Sequence, residues 1–370
     1  MNSSLILLTS NTSWYLYNFR RNTITAFVER GWRVVCVSPM DEFSARLVSE
    51  LGAEHLPLLL DGKSVGLFRE LRSLIFIERT VRRLKPAYVF NFTVKMNIYG
   101  GLACALNKVP FVNNISGLGT AFIHDSWLFR RVRQVYGLVN RRAELLFFQN
   151  QEDLSVFRRF GLLGDAPVAL LPGSGVDLQR FQLSPLPAAS LVTFLMIARL
   201  LGDKGVREYA EAAALLKKQG QNVRCQLLGQ LGVSNRTAIP EGEVEVWQAS
   251  GWVEYLGETD DVRPFIEKCH VLVLPSYREG MPRTVLEAAA MGRPAIVTDV
   301  PGCRQAIEPD VTGWLCEVRN SRSLAQQMER VLRMAPQDVE KAGTLARSRM
   351  EKSFSEEHVV MAYLNCLPMR

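Results

Sequence analysis

The chain has 370 residues, 48% apolar and 22% charged, with a formal net charge of +7. That length suits two domains of about 150 to 200 residues, and the composition excludes a disordered or fibrous protein. The seven cysteines (36, 104, 225, 269, 303, 316 and 366) form no C-x-x-C pair, which argues for buried thiols in a reduced compartment over a disulfide or zinc framework. The start lacks a basic segment before its short apolar run, and no uncharged apolar stretch reaches about 18 residues, so neither a signal peptide nor a transmembrane helix is predicted.

Taken in chain order, short apolar runs alternate with helical patterns. Strands are predicted at 5–10, 33–38, 54–59, 87–92, 110–116, 144–150 and 168–173, with helical spacing at 16–30, 66–84, 97–107, 127–143 and 151–160. Uninterrupted apolar strands alternating with helices predict a parallel sheet covered on both faces. Residues 178–190 carry Pro185 and Pro187 and read as a linker. The alternation then restarts at 191–199, 223–229, 251–257, 270–276, 293–299 and 312–318, with a helix over about 204–219. The expected architecture is α/β, two doubly wound Rossmann-like domains facing a cleft: residues 1–180, residues 191–350, and a helical segment 351–370 available to pack back on the first. Ligands of such sheets bind beyond the carboxyl ends of the strands.

Charge divides unevenly. Residues 1–180 hold 22 Lys and Arg against 14 Asp and Glu, while the remainder holds 22 against 23. A one-sided basic field points to an anionic partner, with clusters at Arg130, Arg131, Arg133, Arg141 and Arg142 and at Arg158 and Arg159. A solvated helix face accounts for any one cluster equally well.

Two motifs concentrate chemistry in the second half. In "REGMPRTVLEAAAMGRP", Glu279 lies in the loop after a strand and Glu287 lies inside the following helix, with Pro282 expected in its first turn. The N–H groups near Gly280, Met281 and Thr284 suit a phosphate, and a carboxylate beside them suits sugar hydroxyls. In "IARLLGDKGV", a strand delivers Arg199 and a turn delivers Lys204, two cations suited to a diphosphate leaving group.

These segments, with "LGETDDVRPFIEKCHVLVLPSYREGMPRTVLEAAAMGRPAIVTDVPGCRQAIEPDVTGWL" and "LPGSGVDLQRF", resemble the retaining glycosyltransferase family 4 of GT-B fold. The resemblance implies sugar transfer from a nucleotide diphosphate with retained anomeric configuration. Arg199 and Lys204 would hold the diphosphate, Glu279 the sugar, Gly280, Met281, Pro282 and Thr284 the phosphate end, and Glu287 the ribose. Arg199, Lys204 and Glu279 would be the catalytic set, with the departing phosphate oxygen taking the acceptor's proton.

In the first half, "SWYLYNFR", "NFTVKMNIYGGLACAL" and "NNISGLGTAF" are similar to the branch extending undecaprenyl-diphosphate-linked sugars, which includes N-acetylgalactosaminyltransferases. The branch places Lys95, Asn97, Gly117, Gly119 and Thr120 toward the acceptor. Val94 stands where many members carry a histidine, and His124 is the substitute considered. The loop "SNTSWY" lacks the usual glycine pair.

A peripheral enzyme on the inner face of the cytoplasmic membrane, bound through the basic first domain, is expected. UDP-linked HexNAc is the first donor, a GDP-hexose the second, with no resident cofactor and no metal. Phe122 breaks the dinucleotide pattern of "GLGTAF", no D-x-D occurs, and no RNA-binding motif is present. The alternatives are an epimerase or hydrolase of the same fold and a non-catalytic membrane-associated protein.

Overall fold

The computed structural model describes residues 4–58, 67–117, 127–188, 191–233 and 235–368. It divides into two compact units: Met1–Ser174 with Glu357–Arg370, and Gly175–Glu356.

The strands of unit 1 are β1 (Leu5–Thr9), β2 (Arg33–Ser38), β3 (Glu54–Pro57), β4 (Tyr88–Phe92), β5 (Phe111–Ile115), β6 (Leu145–Phe148) and β7 (Val168–Leu170). They form a parallel sheet in the order β3-β2-β1-β4-β5-β6-β7. Every residue of β1, β4 and β5 is buried, as a strand covered on both faces must be. One cover comprises α1 (Ser13–Glu29) and α2 (Phe43–Ser49); the other comprises α3 (Leu67–Leu84), α4 (Val94–Asn107), α5 (Trp127–Asn140) and α6 (Gln151–Arg159). Helix α1 starts where Thr12 accepts a hydrogen bond from the Tyr15 N–H.

Unit 2 repeats the plan with β8 (Val192–Ile197), β9 (Val223–Leu228), β10 (Glu254–Tyr255), β11 (Val271–Leu274), β12 (Ala295–Thr298) and β13 (Gly313–Cys316), ordered β10-β9-β8-β11-β12-β13, all parallel. Its helices are α7 (Val206–Lys218), α8 (Glu241–Ala249), α9 (Arg263–Lys268), α10 (Arg283–Ala290), α11 (Cys303–Ala306), α12 (Ser321–Leu332) and α13 (Pro336–Arg349). The last helix, α14 (Glu356–Leu364), belongs to unit 1 beyond its first residue. Its Tyr363 is fully buried among Phe90, Phe92 and Phe147.

The proline-bearing segment 178–190 is not the boundary the sequence suggests. The units divide between Ser174 and Gly175, and residues 178–188 of the proline segment belong to unit 2. Phe181 enters that unit's core. The fully buried Arg293 donates to the carbonyls of Ser184 and Pro185 at 2.8 Å each. A buried guanidinium needs such acceptors, because its charge is otherwise unsolvated. The seven cysteines are free thiols, six of them buried.

Candidate functional site

In each sheet the winding direction reverses once, between β1 and β4 and between β8 and β11. Loops leaving the carboxyl ends of such a strand pair diverge and open a crevice. In unit 2 these loops carry the two sequence motifs.

After β8 the chain passes Arg199 and forms a 3-10 turn at Gly202–Lys204. The Arg199 side chain is exposed and makes no hydrogen bond or ion pair among the described residues. Lys204 is held: its Nζ lies 2.5 Å from Glu279 Oε1, with both side chains mostly buried. The loops presenting them are bound together. The Tyr277 N–H donates to the Asp203 carbonyl at 2.9 Å, and the Tyr277 hydroxyl donates to Glu208 Oε1 at 2.6 Å. Burial and the Glu208 carboxylate push that phenol up to about 12. Gly205 has φ +75°, and a Cβ there would stand 2.1 Å from the Pro275 carbonyl oxygen. Only glycine permits this approach.

Glu279 and Gly280 rest against the loop after β12. A Cβ on Gly302, at φ +82°, would lie 2.3 Å from the Glu279 carbonyl oxygen and 2.7 Å from that of Gly280. Met281 packs against the unit's core. Pro282 is the N-cap of α10 with extended backbone, one residue before the first turn where its sequence placed it. Thr284 is half-buried in that first turn. The leading N–H groups of α10 thus face the loop that holds Glu279, an arrangement suited to an anion.

Glu287 is buried, and its Oε1 accepts from Arg283 Nε at 2.6 Å, an i,i+4 pair along α10. Burial raises its carboxyl above the ordinary value, with Arg283 and then Arg180 opposing and Asp261 reinforcing the rise. Sequence reasoning missed Arg283, although its spacing four residues before Glu287 was a visible signal. It also missed Gly205, Tyr277 and Gly302, whose partners lie in distant loops.

The acceptor residues expected in unit 1 fare differently. Lys95, in the first turn of α4, is 2.7 Å from Glu70 Oε1, and Tyr99 donates to the other oxygen of that carboxylate at 2.6 Å. Asn97 is corrected to a core residue. It is 1% exposed, and its amide donates to the Asn114 carbonyl and the Tyr136 hydroxyl. It belongs to a buried polar chain in which Thr9 donates to Asn91, Asn91 to Asn113, and Asn113 to Asn140. Periodicity cannot show this, because a buried asparagine and a ligand-facing one have the same spacing. Gly117 follows β5 with φ +150°. Gly119, Thr120 and His124 lie outside the described residues. Arg133 also departs from expectation: it is buried, with its guanidinium 4.7 Å from the Phe160 ring centroid.

Comparison with known proteins fits this geometry. Residues 5–150 match the model described as glycosyl transferase 4-like, and residues 192–334 match glycosyl transferases group 1. The chain is 28% identical over 334 residues, 86% of each chain, to the N,N'-diacetylbacillosaminyl-diphospho-undecaprenol alpha-1,3-N-acetylgalactosaminyltransferase of Campylobacter jejuni. It is 24% identical over 293 residues, 73% of this chain and 72% of the other, to the UDP-Gal:alpha-D-GlcNAc-diphosphoundecaprenol alpha-1,3-galactosyltransferase of Escherichia coli. In fold it is similar to sucrose-phosphate synthase from Thermosynechococcus elongatus, with a TM-score of 0.80 at 18% identity over 98% of both chains. Two matched family domains in order, each on its own parallel sheet, place this chain among the GT-B glycosyltransferases, as an enzyme with a 4-like domain followed by a group 1 domain.

Proposed function

We propose that this glycosyltransferase moves a sugar, with retention, from a UDP-linked HexNAc to a hydroxyl of an undecaprenyl-diphosphate-linked acceptor during bacterial surface glycan assembly. The observation that carries the donor half is the contact of Lys204 with Glu279 at the switch point of the unit 2 sheet, beside the start of α10. A diphosphate at the helix start would meet Lys204, Arg199 and the N–H groups near Gly280, Met281 and Thr284. The attached sugar would reach Glu279, and the ribose Glu287. The acceptor half is supported by two relatives whose names specify diphospho-undecaprenol acceptors.

As the glycosidic C–O bond breaks, negative charge grows on the departing phosphate. Lys204, Arg199 and the N–H groups stabilise it where it forms, and Lys204 and the helix start lower the barrier further because their loops already hold them in place. The departing oxygen takes the acceptor's proton while the new bond forms on the same face. Activity is expected to be metal-independent and to survive EDTA. The acceptor is assigned to unit 1, with Lys95 meeting its diphosphate. We place the enzyme on the inner face of the cytoplasmic membrane, held through the basic surplus of unit 1.

The test is a screen of radiolabelled nucleotide-sugars, with and without undecaprenyl-diphosphate-linked acceptors. Transfer that requires acceptor supports this reading. Equal turnover of the nucleotide-sugar without acceptor would show an epimerase or hydrolase instead. No turnover with any donor would show a non-catalytic protein.

A further inference from the structure

The loop 317–320, between β13 and α12, is fixed at both ends. The Glu317 N–H donates to the Ser323 hydroxyl at 3.0 Å, and Asn320 caps α12 by accepting from the Ser323 N–H at 3.0 Å. The Asn320 amide also donates to Glu317 Oε2 at 2.7 Å. Between these anchors Arg319 takes the left-handed backbone, with φ +56°. Among the described residues of unit 2 with positive φ, only Asp310 and Arg319 are not glycine. Aspartate tolerates that conformation because its short polar side chain bonds locally, a relief arginine lacks. A long cationic side chain held where glycine fits better points to a use for that side chain.

The exposed Arg319 guanidinium lies 4.6 Å from the centroid of the Tyr277 ring. It makes no hydrogen bond or ion pair among the described residues, so the ring is what it meets. Strands β11 and β13 are not neighbours, since β12 lies between them. Arg319 therefore reaches across the carboxyl edge of the sheet to the loop that carries Glu279. Tyr277 is itself tied to the Lys204 turn, through its N–H to the Asp203 carbonyl and its hydroxyl to Glu208 in the first turn of α7. A cation over a half-buried ring is drawn to the negative π face. The Arg319 charge also opposes the rise of the Tyr277 phenol that burial and Glu208 cause.

We propose that Arg319 is a positioning residue for sugar transfer: stacked on Tyr277, it fixes the loop that presents Glu279 to Lys204. It touches no reacting atom. Without it the loop shifts, and a small displacement of a binding group lowers turnover. The proposal rests on the reading of Glu279 as the residue that holds the donor sugar. A direct contact with the donor phosphates is the other use of an exposed guanidinium, and the test separates the two.

The test compares Arg319→Asn, Arg319→Lys and Arg322→Ala in the full chain. Asparagine suits the left-handed backbone but carries no charge, whereas lysine keeps both the charge and the strain. Arg322 is a nearby exposed cation with no ring contact among the described residues. Arg319→Asn should melt within about 2 °C of the wild type, because relief of the backbone offsets the lost stacking. Its kcat/KM for the nucleotide-sugar should fall by about tenfold. The Tyr277 and Glu279 N–H groups bond to the Asp203 and Pro301 carbonyls. Deuterium uptake at 277–279 in the ligand-free variant should therefore speed by about fivefold. Arg319→Lys should stay within about threefold of the wild type in both measurements. Arg322→Ala should match the wild type.

Unchanged uptake at 277–279 in Arg319→Asn overturns the proposal even where turnover falls, because Arg319 would then act on the donor itself. Faster uptake with normal turnover overturns it as well. It also falls if Arg319→Lys is as impaired as Arg319→Asn, or if Arg322→Ala loses as much. A melting temperature lowered by more than about 5 °C in Arg319→Asn would make Arg319 a support of the fold instead. If uptake follows the expected pattern but the wild type transfers no sugar from any donor, the hold on Tyr277 stands and the functional reading falls.

Discussion

Lys204 and Glu279 meet at 2.5 Å although 75 positions separate them in the chain. One follows β8 and the other β11, the two strands between which the sheet reverses its winding. The contact therefore sits where the proposed diphosphate joins the sugar, and each residue holds the other. Glu279→Gln should leave the protein folded and cut turnover sharply. Losing a charged acceptor of hydroxyl hydrogen bonds costs on the order of 1.5 to 3 kcal/mol. Steady-state kinetics beside a thermal melt will show this, and near-normal turnover would sink the sugar-binding role.

The two cations differ in their structural ties. Lys204→Ala should lose about 100-fold in turnover and also some stability, since it strands the mostly buried Glu279 carboxylate. Arg199→Ala should lose a comparable factor in turnover with an unchanged melting temperature, because Arg199 is exposed and unpaired among the described residues. Equal destabilisation by both variants would mean that Arg199 supports the fold.

Gly302→Ala tests the close approach of the two loops. The added Cβ would overlap the Glu279 and Gly280 carbonyl oxygens at a backbone conformation that disfavours side chains. Turnover should fall by about tenfold or more through displacement of Glu279, as small misplacements of a binding group do. Kinetics as in wild type would show that the loop tolerates the shift.

Glu287 links stability to pH. Its carboxyl is raised above 4.5 by burial, so the folded protein binds its proton more tightly than the unfolded chain. The stability linked to this group is complete below 4.5 and is lost as pH rises through the folded pKa. The urea midpoint of wild type should fall relative to Glu287→Gln as pH is raised from 4.5 to about 7. Midpoints that run parallel would remove the effect. Glu287→Ala should also weaken affinity for the free nucleoside diphosphate, read by calorimetry, and unchanged affinity would exclude the ribose role.

Lys95 is 42% exposed and paired with Glu70. Glu70 is only 19% exposed and also accepts from Tyr99, and the proposed acceptor diphosphate would compete with it for the open end of Lys95. Lys95→Ala should raise the acceptor KM several-fold while donor affinity stays constant. Weakened donor binding instead would move Lys95 to the nucleotide side.

The sequence by itself determined the two parallel sheets and the family, because uninterrupted apolar strands and compact loop motifs are local patterns. Its eight-residue spacing between Glu279 and Glu287 placed one before a helix and the other inside it, as α10 shows. The partners were decided only by the tertiary structure. Arg199 and Lys204 look alike in the sequence, yet one is solvated and the other paired across two loops. Lys95 and Asn97 lie two positions apart, which on a helix points them in different directions, one toward Glu70 and the other into the buried asparagine chain. The linker prolines marked a break in pattern, but Arg293, more than a hundred residues away, fixes that segment on unit 2. Local periodicity determines which face of an element is apolar; long-range packing and the need to satisfy buried polar groups determine what each polar side chain meets.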